Sequence, residues 1–126
     1  MINRSSNASV TFVVDEASTA IALGSGDVPV LGTPKVLALA EEAAVKAIGN
    51  QLPKRLTTVG VDVQLGHYAP SAVGSTVVAK AVLEDIEDNE LIFHFEVFEG
   101  DKVVADGHHV RSVIDRERFL SRLAAT

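Results

Sequence analysis

Apolar and polar positions change rhythm along this chain, and each change marks an element. In LGTPKVLALAEEAAVKAIGNQL, Thr33 predicts an N-cap and Pro34 the first helical position. The Ala, Leu, Glu and Lys that follow, through about Ile48, are strong helix formers, with Gly49, Asn50 and then Pro53 as the stop. Beyond Pro53 the period drops to two. Val59, Val61, Val63 and Leu65 alternate with Gly60, Asp62, Gln64 and Gly66, which predicts one apolar strand face. Three further strands are predicted over 76–85, 91–98 and 103–114, joined by the turn formers Glu87-Asp88-Asn89 and Gly100-Asp101. A first strand covers about 10–14, and DRERFLSRL predicts a short amphipathic helix capped by Asp115. The stretches GSGDVPVLG and 68–74 read as connections.

This order predicts a single α+β domain over 1–126, with one long helix lying across a curved five-stranded antiparallel sheet. The helix is apolar on nearly every side, so the sheet is expected to wrap it. An open sheet of this size has edges to protect, and a second copy of the chain would cover one, predicting a homodimer. Composition narrows the chemistry. Zero cysteines exclude disulfides, thiolate metal sites and cysteine catalysis. No apolar run reaches membrane-helix length and no leader-like stretch opens the chain, so a cytoplasmic protein with no membrane partner is expected. A net charge of −6 argues against nucleic acid as a partner. The cations are scattered apart from Arg116, Arg118 and Arg122. His108 and His109 alternate faces, so no metal pair is expected from them.

The polar residues with chemical potential are few. Glu42 shares a helical stripe with Lys35 and Lys46 and is expected to face water, in i,i+4 reach of Lys46. Glu41 instead shares a stripe with Leu37, Ala44, Val45 and Ile48, where a carboxylate is costly unless hydrogen-bonded, used, or led out to solvent. His67 ends the valine row and by period two belongs to its apolar face. Alone it reads as a satisfied boundary histidine, and Thr33 alone as a cap. Together they read differently: a hydroxyl at an anion-friendly helix start, a carboxylate about two turns along, and an imidazole from a strand beneath suit acyl transfer.

Gly32-Thr33, Glu41, Gly60, His67 and Gly107-His108-His109-Val110-Arg111 resemble the fluoroacetyl-CoA thioesterase branch of the hotdog family. That branch has a catalytic Thr, a Glu eight residues on and a His twenty-six beyond it, the spacing of Thr33, Glu41 and His67. The resemblance implies a homodimeric hotdog fold that hydrolyses an acyl-CoA or related thioester. CoA is then part of the substrate, with no metal and no other cofactor. It further implies that Gly60 and Gly107 admit the acyl chain close to backbone and that Arg111 orients the site or the ligand, all three as substrate-binding residues. The aromatic gate of the selective members has no counterpart in residues 24–31, so an ordinary acyl group is expected. The H-G-G opening and the Asp-then-His pattern of other hotdog branches are absent. The alternatives are a non-catalytic hotdog module binding an acyl or aromatic ligand, and a purely structural dimer module.

Overall fold

The computed structural model describes residues 2–125. Five strands make one antiparallel sheet: β1 (Asn7–Val13), β2 (Leu56–His67), β3 (Thr76–Glu87), β4 (Glu90–Glu99) and β5 (Lys102–Asp115), in the spatial order β1-β3-β4-β5-β2. The helices are α1 (Ala20–Leu23), α2 (Thr33–Ile48) and α3 (Arg116–Ala124). All five predicted strands and both predicted helices are present. The short α1, reached through a 3-10 turn at Glu16–Ser18, lies in a stretch to which the sequence reading assigned no element.

Small side chains set the depth at which α2 seats. Ala40, Ala43, Ala44 and Ala47 meet Ala79 and Ala81 of β3, and Leu91, Phe93, Phe95 and Val97 of β4 fill the space beside them. Without long side chains between them, helix and sheet approach closely. The packing is lopsided, however. α2 packs against the sheet that wraps it mainly through β1 and β3. Glu42 faces water as expected, but the Lys46 ammonium reaches the Ser9 carbonyl on β1 at 2.8 Å, and Lys35 sits 4.5 Å above the Phe12 ring. The opposite side of the helix, with Ala38, Glu41 and Val45, stays open toward β2.

β2 departs from its predicted face for a local reason. Its pairing with β5 runs Gly60 to Arg111 and then Asp62 to Val110, leaving Val61 as an unpaired bulge. Directly paired residues share a face, so the bulge switches the parity. Thr58 and Gly60 face the helix before it; Val63, Leu65 and His67 face it afterwards. Val59 is therefore displaced from the row the alternation assigned it to. Val61 and Val63 are 52% and 39% exposed along this edge strand.

Candidate active site

Thr33 is the first residue of α2, and Gly32 is its N-cap, making no side-chain capping bond. The threonine hydroxyl is consequently free of the capping role that the sequence predicted for it. It shares a 2.8 Å hydrogen bond with His67 Nδ1, bringing the start of the helix and the end of β2 together. Close packing forces the glycine before it: a Cβ on Gly32 would press on the Ala20 backbone at 3.2 Å. α1 thus roofs a cleft of about 300 Å³ that Val28, Leu31, Thr33, His67 and Tyr68 line. Burial holds the His67 pKa below its ordinary 6.5, with a backbone bond to Ala69 acting the other way. The ring is neutral at pH 7. Its Nε2 is buried with no hydrogen-bond partner among the described residues, the kind of unmet polar atom that folds tolerate mainly at functional sites.

Glu41 stands two turns further along α2, about 12 Å from Thr33 by helical rise. Its Oε2 accepts from Arg111 Nη1 at 3.2 Å, and its side chain is 39% exposed. Arg111 itself is only 7% exposed and is held from three sides. Its Nε donates to Thr58 Oγ1 at 2.9 Å, Nη2 to the Thr58 carbonyl at 3.2 Å, and Nη1 also to His109 Nε2 at 3.0 Å. Arginine cannot accept, so His109 Nε2 must be the bare nitrogen, and Nδ1–H donates to the Asp62 carbonyl at 2.9 Å. Burial first, and the Arg111 charge further, keep His109 below the usual histidine pKa, against opposing pulls from Asp62 and Glu41. The carboxylate is thereby aimed by one charged donor on a rigid base.

Gly60 lies directly beneath that carboxylate. A Cβ there would sit 2.5 Å from Glu41 Oε2, 3.1 Å from His109 Cε1 and 3.4 Å from Arg111 Nη1. Glu41, Gly60, His109 and the exposed valines of β2 line a cleft of about 370 Å³. Gly107 is constrained by packing. A side chain there would collide with the Gln64 carbonyl and lie 2.8 Å from Phe95 Cζ, so this glycine allows β2 and β5 to pair over the core.

Within one chain, then, the sequence-identified residues form two groups on the helix side of β2. Thr33 and His67 make one; Glu41, Gly60 and Arg111 make the other, and the two line separate clefts. Sequence reasoning missed His109 and Thr58, the groups that fix Arg111. The pairing of His109 with Val63 across strands is the signal, and it is readable only once the bulge is known. Among the described residues no group of three or more His, Asp or Glu is placed to hold a metal, and no helix is long and apolar enough to cross a membrane.

Residues 14–117 match the family model described as fluoroacetyl-CoA-specific thioesterase. A fluoroacetyl-CoA thioesterase from Streptantibioticus cattleyicolor is 28% identical over 94 residues, 75% of this chain and 68% of that protein. The crystal structure of a mutant fluoroacetyl-CoA-specific thioesterase with fluoroacetate and CoA superposes with a TM-score of 0.86 at 26% identity, covering 94% of this chain and 99% of that one. A Thermus thermophilus hypothetical protein of the thioesterase superfamily shares the fold, with a TM-score of 0.91 at 20% identity over 99% of this chain and 93% of that one.

Proposed function

The chain belongs to the fluoroacetyl-CoA-specific thioesterase family, a family of thioester hydrolases with the hotdog fold, and from that premise we propose that it hydrolyses an aliphatic acyl-CoA with Thr33, Glu41 and His67 as its reacting groups. The observation that carries this reading is the 2.8 Å pairing of Thr33 with His67 at the first turn of α2. Backbone N–H groups at that turn favour the negative charge that develops on a thioester oxygen. Glu41 attacks the carbonyl carbon or takes a proton from the attacking water; either way the C–S bond breaks, water supplies the oxygen of the acid, and the thiolate leaves with a proton. His67 is neutral and fit to pass that proton. No aromatic side chain stands in residues 24–31, which favours a plain acyl group over fluoroacetyl.

Glu41 reaches His67 through a second copy of the chain. β2 is a free edge twelve residues long with two exposed valines on it. Antiparallel two-fold pairing of that edge runs His67 of one copy back toward Gly60 and Glu41 of the other. Each homodimer then holds two complete sites.

The test is turnover of an acyl-CoA panel by the wild type, Glu41→Gln and His67→Ala, and by an equimolar refolded mixture of the two variants. Both variants should be inactive. The mixture should recover about a quarter of wild-type activity, because half the dimers are mixed and each has one intact site. No recovery would refute the shared site. Wild-type turnover of no thioester would refute the hydrolase reading in favour of a binding module.

A further inference from the structure

The seam between α2 and β2 continues past the Glu41 cleft to a second cleft that shares no lining residue with it. One turn along, Val45 lies on the same side of the helix, and Thr58 shares the inner face of β2 with Gly60. Arg111 holds Glu41 and Thr58 together, so the two lie along one floor. Next to them a cleft of about 230 Å³ runs between Val45, Ile48 and Leu52 on one wall and Leu56 and Thr57 on the other. Lys54 and Arg116 close its far end, and both also line an adjoining cleft of about 270 Å³ with Arg55 and Glu117.

Charge separates this end from the rest of the molecule. The chain has 11 cations against 17 acids, yet five of the cations, Lys54, Arg55, Arg116, Arg118 and Arg122, fall in two segments that meet here. The Arg116 N–H donates to the Arg55 carbonyl at 2.9 Å, which fixes that meeting. None of the ion pairs among the described residues uses Lys54 or Arg116, and Arg55 reaches Asp115 only at 3.9 Å in solvent. Cations left unpaired at the end of an apolar groove, on an otherwise acidic protein, concentrate a polyanionic ligand locally.

Resting on the hydrolase reading above, we propose that Lys54, Arg55 and Arg116 bind the phosphates of the CoA nucleotide while its pantetheine arm lies along the α2–β2 groove. The lengths agree. Glu41 to Ile48 spans about 10 Å of helix, and Gly60 to Leu56 about 13 Å of strand. The peptide-like arm of CoA, cysteamine to pantoate, extends about 15 Å between sulfur and pyrophosphate. A thioester carbonyl held near Glu41 therefore places the phosphates among these cations. The thiol carrier this selects is CoA itself.

Two readouts separate this proposal from the one it rests on. CoA and pantetheine binding are measured by calorimetry for the wild type, for Arg55→Glu/Arg116→Glu, and for Lys102→Glu on the β4–β5 turn as a charge control. Hydrolysis of acetyl-CoA, of acetyl-pantetheine and of an acetylated acidic carrier protein is measured on the same proteins. The double reversal should weaken CoA binding about tenfold at low salt and less at high salt. Its KM for acetyl-CoA should rise by the same factor at constant kcat, with pantetheine binding, acetyl-pantetheine turnover and the control unchanged. Unchanged CoA binding overturns the phosphate site, whether or not the protein is a hydrolase. An equal loss for pantetheine overturns it too, as does a loss confined to turnover of thioesters on an acidic carrier protein. CoA binding that is lost on reversal, in a wild type that hydrolyses nothing, supports the site and refutes the hydrolase reading alone.

Discussion

Adding one methyl group at Gly60 should silence the site while leaving the fold standing. The backbone there is not in the left-handed region, so alanine is conformationally allowed. Its Cβ would lie 2.5 Å from Glu41 Oε2, and ordinary contact requires the carboxylate to retreat by about 1 Å. The Arg111–Glu41 bond is already 3.2 Å, so that retreat breaks it. A misplacement of about 1 Å at a reacting group costs on the order of 100-fold in rate. Stability should suffer far less, because Glu41 is a flexible, partly exposed side chain that can swing outward. The one buried atom that must yield is His109 Cε1 at 3.1 Å, by a few tenths of an ångström, for a total of about 1–2 kcal/mol. Steady-state hydrolysis of the best acyl-CoA and a thermal melt decide the matter. Gly60→Ala should show kcat down 30- to 300-fold, by order of magnitude, and Tm down by about 3–8 °C. A kcat within twofold of the wild type would refute the aiming of Glu41 by this contact. Outright unfolding would refute the claim that Glu41, rather than the core, absorbs the methyl.

Two further outcomes follow from the same geometry. Gly107→Ala meets the Gln64 carbonyl and Phe95 instead of a flexible end, so it should destabilise by about 3 kcal/mol or more and separate β2 from β5; a denaturant midpoint close to wild type would contradict the packing role given to this glycine. His67 and His109 both have pKa values held below 6.5 by burial, so between the folded values and 6.5 the unfolded chain binds more protons. The stability they support is present above 6.5 and lost as pH falls through that window. Tm should fall on acidification from pH 7, and His109→Gln should flatten part of the fall; a slope equal to wild type would show that His109 is not buried neutral.

Reading the chain by period succeeded wherever one rhythm ran unbroken. The long helix ends at Ile48 as its Gly49 stop requires, and β3, β4 and β5 lie where their alternation and turns put them. Asp115 caps α3 as read, accepting from the Arg118 N–H at 3.0 Å. The row Val59 to Leu65 misled because a bulge is silent in a period-two pattern: Gly60 looks like a polar-face residue and is in fact the floor beneath Glu41. Thr33 misled in a smaller way. A threonine before Pro34 reads as a cap, but close packing against Ala20 needs glycine at the capping position, and the hydroxyl goes to His67 instead.

By itself, then, the sequence determined the elements, the α+β class and the residue types available for chemistry, since these follow from local periodicity and from what side chains can do. Thr33, Glu41, His67 and Arg111 were all legible at that level as candidates. Only the tertiary structure decided how they group: Thr33 with His67 at the head of the helix, and Glu41 with Arg111, His109 and Thr58 two turns away. Such grouping depends on the Val61 bulge, on the lopsided seat of α2 and on contacts between segments more than thirty residues apart. Spacing along a chain carries no information about which face a bulge turns inward, and that face is where the candidate site lies.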